Sequence, residues 1–160
     1  YIKQMASDEL ARLCLPYLKE AGLIGDEVNM KWLEKIMALE KDRLKKLSDI
    51  TESADFFFAL PDYQPELLVW AKSDKPRMME SLKATREGLE ELPADQFDLS
   101  NIKGVLSKIC ARFSNGEVYW PMRVALSGKT ASLGPLEIAD VLGKEETIKR
   151  VAQAIEKLET

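Results

Sequence analysis

The chain has 160 residues, 46% of them apolar and 31% charged, with a net charge of −4. That composition supports a buried core, which excludes a wholly disordered tail, and no apolar run approaches the roughly 20 residues that a membrane-spanning helix needs. With no histidine and only two cysteines, Cys14 and Cys110, the chain cannot build a Ser-His-Asp or Cys-His catalytic site, a histidine metal site or a four-cysteine zinc cluster.

The opening, YIKQMASDELARL, has no initiator Met and no apolar segment behind a basic start. It reads as a fragment or processed chain without a signal peptide. Cys14 and Cys110 stand among apolar neighbours (LCLPYL, KICARF), which predicts reduced core thiols in a cytoplasmic protein. Ser7 is the expected cap of a first helix, with Asp8 and Glu9 at its positive end and Leu10, Leu13, Cys14, Tyr17 and Leu18 on one apolar face. Gly22 ends it. The spacing of Trp32, Leu33, Ile36, Leu39, Leu44 and Leu47 predicts a second helix over 28–47. Thr51 is the expected cap of a short helix holding Phe56, Phe57 and Phe58, stopped by Pro61, and Tyr63 to Trp70 reads as a connecting element.

In the second half, Ser73 or Asp74 opens a helix with Pro76 in its first turn, a tolerated position, and Pro93 ends it. Asp98 or Ser100 starts another, through Ile102, Leu106, Ile109 and Phe113, and Asn115-Gly116 makes a turn. A helix over 118–126, a Ser/Gly/Thr loop, a helix from Pro135 to Leu142 and a last helix over 144–158 close the chain. No alternating run is long enough for a sheet. The predicted class is all-α, an array of about eight or nine helices in two small subdomains, 1–70 and 71–160.

Charge is uneven. Residues 1–70 carry the whole net charge of −4, whereas the two following stretches, 71–120 and 121–160, are each balanced. A balanced second half can still present a local basic face, and recognition of a splayed RNA loop needs few charges. The acidic first half is the best argument for the runner-up, a helical protein-interaction domain that keeps the fold without RNA contact.

Three segments could carry chemistry. SGKT at 127–130 invites a phosphate-loop reading, but that motif needs Gly at position 123, where this chain has Arg, and a preceding strand. Arg123, Lys129, Thr130 and Ser132 nevertheless place donors at the edge of an apolar helix, and Gly134-Pro135 opens a helix whose N–H groups face the same space, a setting for RNA bases or phosphates. EKDRLKKL at 40–47 gathers Lys41, Arg43, Lys45 and Lys46 near a helix C-terminus. The ordinary reading is a solvated basic end that complements the dipole; the functional one is a cationic end with Arg43 as directional donor. The Phe56–Phe58 run and Trp32 read as core, and Met78, Met79 and Met122 as core filler.

Three blocks agree in order and spacing with a known family: Trp120-Pro121-Met122-Arg123-Val124-Ala125-Leu126-Ser127-Gly128, then Gly134-Pro135-Leu136-Glu137-Ile138, then Leu142-Gly143-Lys144-Glu145. They resemble the C-terminal end of bacterial glutamyl-tRNA synthetases, class I enzymes whose sequences show a PLRVALTG-like stretch, a Gly-containing loop and an LGKE helix. Tyr1-Ile2, LPYLKEAGL and DRLKKLSDITESADFFF look like earlier parts of the same region, so the resemblance covers essentially the whole chain. The family's two ATP-binding signatures, of the HIGH and KMSKS types, are absent. The resemblance therefore implies an all-helical anticodon-binding region without its catalytic half. It implies no catalytic residue, no metal and no cofactor in this chain, with ATP and Mg²⁺ used by the parent enzyme. The implied partners are the anticodon loop of glutamate tRNA and the N-terminal catalytic region of the same enzyme, with no DNA and no membrane. Carried onto this sequence, the family's anticodon contacts fall on Arg123, on Ser132, Leu133 and Pro135 after it, and on Arg43, with Lys45, Lys46 and Lys129 as supporting cations.

Overall fold

In the computed structural model, which describes residues 2–159, helices begin where short polar side chains can meet unpaired N–H groups. Asn29 accepts from the N–H of Trp32 at 3.2 Å and opens α2 (Met30–Glu40). Asp74 accepts from Arg77 at 2.9 Å and opens α5 (Lys75–Glu90). Asp98 accepts from Asn101 at 2.9 Å and opens α6 (Leu99–Ile109). The other helices are α1 (Ser7–Glu20), α3 (Ile50–Ser53), α4 (Asp55–Phe58), α7 (Asn115–Ser127), α8 (Pro135–Leu142) and α9 (Lys144–Glu159). Short 3-10 turns cover Ile2–Gln4, Leu47–Asp49, Pro65–Leu68 and Ala94–Gln96, and no strand occurs among the described residues. The fold is all-α. Tyr1, quoted above with the family resemblance, lies outside the described residues.

The chain forms two compact units that meet between Pro61 and Asp62. In the first, α1 packs on α2 and α3, and Leu10, Cys14, Leu18, Leu33, Ile36 and Phe56 are fully buried. Burial pushes the Cys14 thiol up to about 11, so it stays protonated and inert. Trp32 and Phe58 meet edge to face at 5.5 Å. The C-terminus of α1 closes as a Schellman motif: Gly22 (φ 76°) donates to the Lys19 carbonyl and Leu23 to that of Leu18, each at 3.0 Å.

Four local expectations in this unit need correction. Ser7 is the first residue of α1 and Ala6 its cap, with no capping side chain. Leu13 and Tyr17 are exposed, so the buried stripe of α1 is narrower than its apolar pattern. The second helix ends at Glu40, not at 47. A carboxylate is unfavourable at a helix C-terminus, and Asp49 draws the N–H groups of Lys45 and Lys46 to its own carboxylate, each at 3.2 Å. Finally, Thr51 caps nothing. It lies inside α3, its hydroxyl donates to the Ser48 carbonyl at 3.0 Å, and Ala54 breaks the expected single helix into α3 and α4.

In the second unit α5 lies against α6, α7 and α9, while α8 packs on α6, α7 and α9. Gly88 allows the close approach of α5 and α6, since a Cβ there would stand 2.7 Å from Val105 Cγ1. Residues 62–70, assigned from sequence to the first subdomain, belong to this unit. The turn Pro65–Leu68 packs on α7 and α9, Leu68 is fully buried, and the Trp120 indole donates to the Leu67 carbonyl at 3.0 Å. Lys157 of α9 adds bonds to Asp62 and to the Tyr63 carbonyl, each at 3.0 Å.

Candidate nucleic-acid interface

Helix α7 carries Arg123, and its position is fixed along its length. At its start, Ser114 and Glu117 form a reciprocal capping box: the Ser114 hydroxyl accepts from the Glu117 N–H at 3.3 Å, and Glu117 Oε1 accepts from the Ser114 N–H at 3.0 Å. The other carboxylate oxygen accepts from the Ser73 hydroxyl at 2.7 Å and from Arg77 Nε at 3.0 Å. Arg77 continues to the Arg112 carbonyl at 2.9 Å and lies 4.4 Å above the Phe113 ring. In mid-helix Pro121 supplies no N–H for the Glu117 carbonyl, and the buried Ser81 hydroxyl donates to that oxygen instead, at 2.7 Å. The proline therefore sits inside the helix without leaving this acceptor unsatisfied.

The N–H of Ser114 and the hydroxyl of Ser73, with Arg77, hold the Glu117 carboxyl at about 2, against an ordinary 4.5. A lowered native value stabilises the fold above the unfolded value and loses that contribution as pH falls through the native one. Glu117→Gln should melt below the wild type at neutral pH, and the gap should close as pH falls from about 4.5 to about 2. Thermal melts across that window check this; a gap that stays constant means that the Glu117 charge stabilises nothing.

At the far end, Gly128 (φ 70°) is the left-handed cap and donates to the Val124 carbonyl at 2.7 Å. The Ser127 hydroxyl donates to the Arg123 carbonyl at 2.7 Å and accepts from the Lys129 N–H at 3.1 Å. SGKT thus begins at a helix C-terminus, the negative end of the dipole, which is the wrong end for a phosphate cradle. The loop runs on to Gly134, the cap of α8, and buried Pro135 at its first position. Ser132, Leu133 and Lys129 are half-buried, and the Ser132 hydroxyl donates to the Leu133 carbonyl at 2.9 Å. Arg123 lies one turn before this loop. It is half-buried, and its buried Nε finds no hydrogen-bond partner among the described residues. Arg123, Lys129, Ser132, Leu133 and Pro135 therefore share one helix end, its loop and the next helix start.

Arg43, Lys45 and Lys46 lie in the first unit, beyond α2 rather than on its last turn. The Arg43 N–H donates to the Glu40 carbonyl at 2.8 Å, Leu44 turns inward, and all three cations are exposed. Lys41 is tied differently, its ammonium donating to the Met5 carbonyl at 2.9 Å.

Sequence reading missed Arg150. It is 2% exposed, donates through Nη1 to the Leu126 carbonyl at 2.6 Å and pairs through Nε with Glu146 at 2.7 Å. It thereby caps the C-terminus of α7 from α9 and anchors the start of the loop. The signal was present: Arg150 falls on the face of Thr147, Val151 and Ala154, where only a paired cation can be buried. Among the described residues no three His, Cys, Asp or Glu side chains come together to hold a metal, and no helix is long and apolar enough to cross a membrane.

The family described as anticodon binding domain matches residues 9–155. A glutamate–tRNA ligase of Clostridium botulinum (strain Hall) is 38% identical over 162 residues, covering 99% of this chain and 32% of the relative. That of Herpetosiphon aurantiacus is 39% identical over 161 residues, covering 96% and 32%. The crystal structure of a glutamate tRNA ligase from Elizabethkingia meningosepticum superposes with a TM-score of 0.84 at 25% identity, over 99% of this chain and 30% of that one. The chain spans about a third of the length of these relatives. On the match over residues 9–155, the chain belongs to the anticodon-binding domain family.

Proposed function

We propose that this chain is the anticodon-reading part of a glutamate–tRNA ligase, acting in the cytoplasm beside the catalytic region of the same enzyme. The observation that carries this is Arg123: a half-buried guanidinium on a pinned helix, with a buried Nε that finds no hydrogen-bond partner among the described residues, one turn before a Gly-bounded loop. Anticodon bases unstack from their loop, so side chains can reach their base edges. Arg123 holds the anticodon, Ser132, Leu133 and Pro135 line the same seat, and Lys129 supports it. Arg43 reads the last base, with Lys45 and Lys46 against nearby phosphates. Glutamate anticodons end in U and C, glutamine anticodons in U and G. Cytosine offers O2 and N3 acceptors to a guanidinium, whereas guanine would set its N1–H and N2 amino donors against it, at about 1–3 kcal/mol for unpaired donors. ATP and Mg²⁺ serve the catalytic region of such an enzyme. The part of this chain in such an enzyme is binding.

The test is a set of dissociation constants for glutamate and glutamine anticodon stem-loops at one fixed salt, with a salt titration. About 3 to 5 phosphate contacts give a slope of log K against log salt of about −2 to −4. Arg43→Gln should cost glutamate stem-loops modestly and glutamine stem-loops less, since an amide both donates and accepts, and the preference between them should narrow. Equal shifts on both RNAs would reduce Arg43 to a backbone contact. Binding that ignores salt would instead favour a protein-interaction domain.

A further inference from the structure

Helix α8 starts with few donors. Pro135 has no N–H, and the N–H of Ile138 already meets the Gly134 carbonyl at 3.1 Å, so beyond the Gly134 cap itself the N–H groups left at its start are those of Leu136 and Glu137. The Glu137 side chain folds back over this end. A Cβ on Gly134 would collide with Glu137 Oε2 and would have Glu137 Cδ at 3.4 Å and Oε1 at 3.7 Å. No hydrogen bond or ion pair to another described residue engages the Glu137 carboxylate. A negative charge thus already lies where the dipole would otherwise draw an anion, behind Pro135 and beside the loop that holds Ser132 and Leu133.

We propose that Glu137 is a specificity-determining residue of this loop: its carboxylate bars phosphate oxygens from the start of α8 and accepts a hydrogen bond from an N–H on the edge of a seated base. The proposal rests on the anticodon-reading function above and adds a choice within it. Phosphate oxygens only accept, and so does an ionised carboxylate, so the two repel at contact distance. A pyrimidine edge offers what the carboxylate needs, at the N4 amino group of cytosine or the N3–H of uracil. Gly134 belongs to the same device, because the carboxylate occupies the space that a Cβ would take.

Two variants reach this device from opposite sides. Glu137→Gln keeps the shape and removes the charge. Gly134→Ala keeps the charge and pushes the carboxylate aside; at φ −64° and ψ 149° alanine fits that backbone without strain. The first probe is inorganic phosphate, titrated into the 160-residue chain and followed at the amides of Leu136 and Glu137. The wild type should show no saturable shift there, and both variants should bind at least roughly fivefold more tightly. The second probe is a set of anticodon stem-loops with each anticodon base replaced in turn. Glu137→Gln should narrow the strongest base preference by at least roughly fivefold. Equal phosphate binding by all three proteins, or base preferences unchanged in Glu137→Gln, overturns the proposal. If the wild type binds no stem-loop while the phosphate arm behaves as expected, the anticodon-reading function is what fails, and Glu137 is left as an anion barrier with no base to select.

Discussion

Replacing Arg123 by alanine should weaken glutamate and glutamine anticodon stem-loops by similar amounts, about 1–3 kcal/mol for a lost charge-assisted contact. The size follows from the place of the side chain. Arg123 is half-buried on a helix fixed by its capping box and by the Arg150 bond, so little motion is left to freeze on binding. Its buried Nε has no hydrogen-bond partner to lose among the described residues, so the loss falls on the complex rather than on the free protein. Alanine is the best helix former, and the Ser127 bond goes to the backbone carbonyl of residue 123, which the substitution keeps. Far-ultraviolet circular dichroism should therefore be unchanged while both dissociation constants rise. The equality of the two losses separates Arg123, which holds the anticodon whatever its last base, from Arg43. If both constants stay unchanged, the anticodon seat lies elsewhere on the domain.

The second half of the chain was legible where its signals are local and unopposed, but Asn115-Gly116, expected as a turn, instead opens α7 behind the Ser114 capping box. Asp74 and Asp98 cap the helices that their positions predict, Pro135 opens α8, Gly143 stops it, and the three quoted blocks identify the family. The first half misled where a local pattern met a competing bond. The apolar spacing through Leu44 continues a helix on paper, but the Asp49 carboxylate takes the N–H groups that such a helix would use. Leu13 and Tyr17 fit an apolar face whose buried stripe is narrower than its pattern, and both stay exposed. The segment 62–70 was given to the wrong neighbour because its bonds are long-range, from Lys157 and Trp120, and no local pattern records them. At the candidate site, Arg123 and its loop could be found from spacing and resemblance. Arg43 could be named but not placed, since a helix end and the turn beyond it carry the same charges. Glu137 was hidden by its ordinary position in a first helical turn, where an acid needs no special explanation.

The largest stability effect should come from Arg150→Leu, at about 2–3 kcal/mol for a buried, charge-assisted hydrogen bond whose acceptor is left unsatisfied. Arg150 is 2% exposed, and its bond to the Leu126 carbonyl, at 2.6 Å, satisfies one of the carbonyls that α7 leaves unpaired at its C-terminus. Leucine forms helix as readily and covers the same apolar neighbours, so α9 should survive and the deficit should concentrate where α7 meets its loop. The pair with Glu146 adds little, because Glu146 is 39% exposed and can return to water. Urea denaturation gives the cost, and hydrogen exchange at the Gly128 amide, bonded to the Val124 carbonyl, reports whether the end of α7 frays first. Arg150→Lys should recover only part of the loss, since one ammonium cannot match a fork that points at Leu126 and Glu146 from different nitrogens. Fraying at Gly128 also displaces the loop behind it, so the same variant should weaken anticodon stem-loops although Arg150 itself never meets RNA. An unchanged denaturation midpoint with unchanged Gly128 exchange would mean that water replaces the guanidinium at the Leu126 carbonyl, and the loop would need another anchor.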